Sequence, residues 1–160
     1  VMMAVLIAGR IGSAIAAEIG SMRAYQEIDA LRTMNIDPVD YLVLPRMIAI
    51  SVAMPLLVVF STLIGWMGGA LVVTTNPAVN LSYVGYMNSL GDMVDGGDIL
   101  NGLIKSLVFA LIIGIVSCHQ GMETIGGPRG VGRSVTKAVV NSIALILVFD
   151  YFLTRIMINL

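Results

Sequence analysis

The 27 residues from Met47 to Val73 carry no charged side chain. Soluble domains rarely sustain such a run, and about 20 apolar residues suffice to cross the hydrocarbon core of a bilayer. Two further stretches are nearly as long. Ile99–Cys118 holds a single charge, Lys105, and Ala138–Leu160 holds two, Asp150 and Arg155. The opening stretch, from Val1 toward Gly20, is apolar apart from Arg10 and Glu18. Only 12% of the 160 residues are charged and 58% are hydrophobic, about half the charge of an ordinary soluble domain. Ten-residue alternating strands are absent, and lipid leaves no water to satisfy backbone groups, so the spans should be helices. The expectation is an all-α integral membrane bundle with three full transmembrane helices (45–73, 99–118, 138–160) plus the end of a fourth (1–20). The start reads as lying inside a membrane helix, with no signal-peptide pattern.

Lys and Arg orient the bundle. Arg10, Arg23, Arg32 and Arg46 fall between the first and second spans, and Arg129, Arg133 and Lys137 between the third and fourth. The 74–98 segment has Asp92, Asp95 and Asp98 and no Lys or Arg. Residues 21–36 and 119–137 are therefore expected in the cytoplasm, and 74–98 is expected as an external loop.

Between the first two spans lies the polar stretch EIGSMRAYQEIDALRTMNIDP, residues 18–38. A helix over 21–36 is expected, with Ser21 as N-cap and an end before Pro38, because a residue preceding proline avoids the α region. Asp37-Pro38 then reads as the cap and first turn of the next helix. At 100° per residue, Ala24, Ile28, Leu31 and Met34 gather on one side and Gln26, Asp29, Arg32 and Thr33 on the other. Glu27 sits within the apolar side. This pattern fits either a connector on the membrane surface or a helix that enters a groove of a partner, with Glu27 meeting a basic residue.

Small residues recur at strict four-residue spacing: Ala4, Ala8, Gly12, Ala16 and Gly20, with Gly65 and Gly69 repeating the idea in the next span. Such a stripe admits another helix at close range, within the chain or across a dimer. Lys105 lies about 10 Å inside the external end of its span and Asp150 about 18 Å from the cytoplasmic end of the last one. In a core about 30 Å thick these depths nearly coincide. Either a buried Lys105–Asp150 pair or exposure of both to one polar cavity is expected, for a structural or a functional reason.

Other motifs carry little. GPRGVGRS, residues 127–134, has the outline of a phosphate loop, but Arg133 stands where the lysine belongs and no strand precedes it. It reads as a glycine-rich turn, with Ser134 as a candidate cap of the last helix. One cysteine, Cys118, and one histidine, His119, make neither a disulfide framework, nor a metal site, nor a nucleophile–base pair.

Three blocks, AGRIGSAIAAEIGSMRAYQEIDALRTMNIDPVDYLVLPR, NGLIKSLVFALIIG and GGPRGVGRSVTKAVVNSIALILVFDYFLT, together resemble the MlaE/YrbE family of permeases, the membrane subunits of ABC transporters that work with MCE proteins. The resemblance runs through the whole chain and corresponds to the C-terminal portion of the family's length. It implies a homodimeric lipid permease of the bacterial inner membrane, moving phospholipid or a related lipid to or from an MCE-domain protein. The permease itself is no enzyme and holds no cofactor; ATP and magnesium belong to a separate ATPase subunit, and no nucleic acid is involved. By position the resemblance places ATPase coupling in the Met22–Met34 region, with Glu27 as its acidic residue and Arg23, Asp29 and Leu31 as further candidates, and it assigns the lipid cavity to Lys105 and Asp98; Asp150 joins them as the intramembrane charge at the depth of Lys105. The competing readings are a membrane scaffold that binds an ATPase without a translocation path, and half of a secondary transporter. The latter predicts an inverted repeat, which the spans do not show.

Overall fold

A stripe of small side chains is useful only if something packs on it. In the computed structural model, which describes residues 1–75, 83–94 and 96–158, Ala4, Ala8, Gly12, Ala16 and Gly20 are all buried. They lie on the first helix, α1 (Met2–Ala24), together with buried Ile7, Ile15 and Ile19. Five further helices follow among the described residues: α2 (Glu27–Thr33), α3 (Val39–Thr75), α4 (Tyr83–Met93), α5 (Gly96–Met122) and α6 (Gly127–Ile158). Helices α1, α5 and α6 pack mutually, α3 lies against α5, and α4 rests on α3.

Four segments are long and apolar enough to span a membrane: Met2–Ala24, α3, α5 and Gly127–Met157 of α6. The first of these is 23 residues, or about 35 Å at 1.5 Å per residue. It is long enough to cross a membrane by itself. Its helix carries a π turn at Ala8–Gly12. A π turn leaves a carbonyl without its usual amide partner, and here the Ser13 hydroxyl donates to the carbonyls of Gly9 (2.5 Å) and Arg10 (3.1 Å).

The close approach has identifiable causes. A Cβ at Gly121 of α5 would stand 2.8 Å from the Ile19 Cβ and 3.2 Å from the Ala16 carbonyl oxygen of α1. A Cβ at Gly12 would stand 3.0 Å from the Ser117 Oγ. Gly114, on another side of α5, is pressed by Met47 and Ile50 of α3. Gly69 is covered by the Tyr86 ring of α4, whose hydroxyl donates to the Trp66 carbonyl at 3.2 Å. Gly65, by contrast, has nothing within 4 Å. Gly121→Val should therefore lower the unfolding midpoint in detergent by the equivalent of about 1–3 kcal/mol, the cost of overpacking. Gly65→Ala should leave it unchanged.

The boundaries differ from the sequence expectation in three places. The helix expected over 21–36 is broken. Ser21 lies inside α1 and its hydroxyl donates to the Glu18 carbonyl (2.8 Å), so it caps nothing. The break falls at Tyr25–Gln26, with Gln26 left-handed at φ 61°. A left-handed non-glycine residue costs about 1–2 kcal/mol. The turn redirects α2 so that Ile28 is 1% exposed, and burying an isoleucine returns about 1.5–3 kcal/mol. The helix then ends at Thr33, short of Pro38, and Asn35 turns left-handed at φ 61°, where Ile36 N–H bonds the Leu31 carbonyl and Asn35 N–H that of Arg32, a left-handed C-terminal cap. The Asp37 carboxylate accepts the Val39 N–H at 2.9 Å and opens α3.

Second, the expected external loop 74–98 contains α4, and residues 76–82 and 95 of it lie outside the described residues. Third, the expected loop 119–137 is mostly helix. Helix α5 runs to Met122 and α6 starts at Gly127, not at Ser134. Gly126 and Gly127 have positive φ and make the turn. Pro128 follows in the first turn, where its missing N–H costs nothing. The segment that outlines a phosphate loop is thus the opening of a transmembrane helix.

Candidate functional site

Two helices bring the intramembrane charges together. α5 and α6 are antiparallel, so Lys105 near the start of one meets Asp150 near the end of the other. Lys105 Nζ is 3.4 Å from Asp150 Oδ1, and the two side chains are 23% and 26% exposed. The shorter bond is to Thr154: Lys105 Nζ donates to its Oγ1 at 2.7 Å, and that hydroxyl donates to the Asp150 carbonyl at 2.6 Å. The pair also lines a cleft of about 470 Å³, shared with Met54, Ser61, Thr62 and Ser106. The structure pairs the two charges without burying them fully, and the space they share is mostly apolar rather than polar.

A second cleft of about 350 Å³ adjoins the first through Val58, Thr62 and Gly102 and is lined by Trp66 and Asp98. Asp98 is exposed and lies two helical turns from Lys105 on nearly the same face of α5. The result is a mostly apolar space with one ammonium, two carboxylates and a few hydroxyls at one end of the bundle. Such a space suits an amphipathic guest: apolar walls take hydrocarbon and the polar cluster takes a polar or charged head.

At the opposite, arginine-rich end, α2 presents a different arrangement. Arg23 Nη1 and Asp29 Oδ1 are 2.6 Å apart, tying α1 to α2 across the break, and Arg32 stands 4.0 Å from the same oxygen. Neutralising Asp29 should change stability by less than about 1 kcal/mol, since the pair is solvent-screened; equilibrium unfolding of Asp29→Asn measures it. Leu31 is half-buried against the core. Glu27 is exposed and, among the described residues, has no hydrogen-bond or ion-pair partner. It stands on the rim of a cleft of about 280 Å³ whose floor includes Met22, Ile28 and Leu42. Close by, Arg46 Nη2 holds Glu18 Oε2 at 2.8 Å and joins α1 to the start of α3.

Of the four coupling candidates, then, Arg23 and Asp29 satisfy each other, Leu31 faces inward, and Glu27 alone is unengaged. Sequence reasoning missed Thr154, although its i+4 spacing from Asp150 was a usable signal. It also missed Ser61 and Thr62, whose hydroxyls vanish inside an uncharged apolar run. No local signal marks Glu18–Arg46, 28 residues apart.

The fold and these sites define a multi-pass helical membrane protein with a polar cluster set among its spans. A profile of the family described as Permease MlaE matches residues 1–156. The chain belongs to the MlaE permease family. It is 43% identical over 157 residues to a protein of Synechocystis sp. named as a probable ABC transporter permease, covering 98% of this chain and 59% of that one. A Rickettsia prowazekii protein of the same designation is 43% identical over 156 residues, covering 98% and 60%. The chloroplast protein TRIGALACTOSYLDIACYLGLYCEROL 1 of Arabidopsis thaliana is 38% identical over 154 residues, covering 96% and 43%. The chain thus spans about 60% of the length of its bacterial relatives.

Proposed function

We propose that this chain is part of the membrane subunit of an ABC transporter that moves a phospholipid or related lipid between the bacterial inner membrane and an MCE-domain partner, working as a homodimer. A separate ATPase supplies the energy and docks on α2. The observation that carries the reading is the Lys105–Asp150–Thr154 cluster lining an otherwise apolar cleft within the spans. An amphipathic substrate needs both surfaces, and a charge in this position is too costly to be idle in most membrane proteins. Membership of a permease family and the glycolipid in the name of the Arabidopsis relative support the substrate class.

In this reading Lys105 holds the lipid head by charge-assisted hydrogen bonds while Asp150 and Thr154 fix the ammonium. Asp98 stands at the mouth of the space. Glu27, exposed beside an apolar cleft, meets a basic residue of the ATPase. The test is reconstitution of the full-length permease with its ATPase in liposomes carrying labelled phospholipid. ATP-dependent transfer of label to a soluble MCE-domain acceptor is the expected result. A stable complex that hydrolyses ATP without moving any lipid would instead indicate a scaffold.

A further inference from the structure

A fourth cleft lies far from the Lys105 cluster, between the arginine-rich ends of α5 and α6. Its volume is about 410 Å³. Its deeper part is apolar, formed by Ile115 of α5 and Ala144 and Leu145 of α6, and its outer part is polar, formed by His119, Gln120 and Asn141. Ile115 is 58% exposed and Leu145 is 38% exposed, so the apolar part of the cleft is open.

The cations of α6 continue this layering. Taking 100° per residue, Lys137 lies within about 20° of Ala144 and 40° of Asn141, and Arg133 lies within about 20° of Ala144. Arg129 is turned about 80° from Lys137 and falls outside. Lys137 is one turn, about 6 Å, above Asn141, and about 12 Å above Leu145. That span matches a headgroup layer of about 5–7 Å followed by the first carbons of an acyl chain. Arg133 and Lys137 are exposed and, among the described residues, have no ion-pair partner. Neither cation lines the cleft itself; on the helix face they stand beyond its polar end, while Glu123 is engaged with the lining His119, Oε2 to Nδ1 at 3.4 Å. The two unpaired cations make this end of the α6 face positive.

We infer that this α5–α6 cleft binds an anionic phospholipid from the leaflet on the arginine-rich side. The phosphate sits at Arg133 and Lys137, the glycerol region meets Asn141 and Gln120, and an acyl chain lies along Ile115, Ala144 and Leu145. A basic cleft between membrane helices on this side is the arrangement that retains acidic headgroups. The inference does not rest on the transport reading, because the cleft is separate from the Lys105 space and shares no lining residue with it.

The test reconstitutes the full-length permease complex in nanodiscs of mixed phosphatidylcholine and phosphatidylglycerol and counts each retained lipid by native mass spectrometry. In the Arg133→Gln/Lys137→Gln variant, retained phosphatidylglycerol should fall about 25-fold, with phosphatidylcholine unchanged, since each cation near the surface contributes about fivefold. The Arg133→Lys/Lys137→Arg variant should retain it, which separates charge from misfolding. Ala144→Trp, which fills the cleft, should also lose it. Unchanged phosphatidylglycerol in both the Gln/Gln and Trp variants overturns the inference. A change of subunit stoichiometry in Ala144→Trp overturns it as well, because the face would then be a contact between protein chains.

Discussion

Replacing Lys105 with alanine in the full-length reconstituted transporter should lower ATP-dependent lipid transfer by at least tenfold while the protein still inserts and assembles. Among the described residues the ammonium is the one cationic side chain lining the cleft, and its loss removes charge-assisted hydrogen bonds worth about 1.5–3 kcal/mol each. Part of the effect will be structural. Without Lys105 the Asp150 carboxylate faces the cleft unpaired, and orphaning one member of a buried pair is costly. At about a quarter exposure, water reaches the pair, so the penalty should fall below the several kcal/mol of a fully buried one. The double variant Lys105→Ala/Asp150→Asn separates the two contributions. It should recover stability, read as the thermal midpoint, without recovering transfer. Wild-type transfer by a well-folded Lys105→Ala protein would remove the lysine from the mechanism. Thr154→Val tests the same cluster more gently: it deletes the 2.7 Å bond to Nζ and should cost about 1 kcal/mol or less in stability.

Charge reversal at Glu27 is the second large effect. Glu27→Lys should leave membrane insertion intact and weaken association with the ATPase about 10- to 100-fold, as a lost charge-assisted contact becomes a repulsion. Co-purification and lipid-stimulated ATP hydrolysis read it out. The expectation is asymmetric within α2. Asp29 is already engaged by Arg23 at 2.6 Å, so Asp29→Asn should change association little. Glu27 has no partner among the described residues and is exposed, so its charge is free to be met from outside. Some of its own stability comes from its place in the first turn of α2, where the helix dipole favours an acid. If Glu27→Lys and the wild type bind and stimulate the ATPase alike, α2 is a surface connector and coupling runs elsewhere.

Much of the architecture was legible before any coordinate. Uncharged runs such as Met47–Val73 can only be long apolar helices in lipid, because the backbone has no other way to satisfy itself there. The four-residue spacing of Ala4 through Gly20 marked the face of α1 that another helix approaches. The depths of Lys105 and Asp150 could be compared because rise per residue converts sequence position into height. What was not legible is instructive. The break at Tyr25–Gln26 contains no glycine or proline; Gln26 is left-handed because Ile28 finds its burial only after the chain turns. The early start of α6 at Gly127 was hidden by three glycines and a proline, which read as a loop in isolation and are helical here.

The sequence by itself determined class and topology: helices that cross a membrane, their order, the side that is basic, and the family. Those properties depend on composition and on spacing along one helix, both of which are local. The tertiary structure decided the partners. Only packing shows that Thr154 completes the Lys105–Asp150 cluster, that Arg23 and Asp29 quench each other and leave Glu27 exposed, and that Glu18 reaches Arg46 across 28 residues. Each of these depends on the rotation of one helix relative to another. That rotation is set by which glycines admit which side chains, as Gly121 admits Ile19, and a single helix carries no record of it.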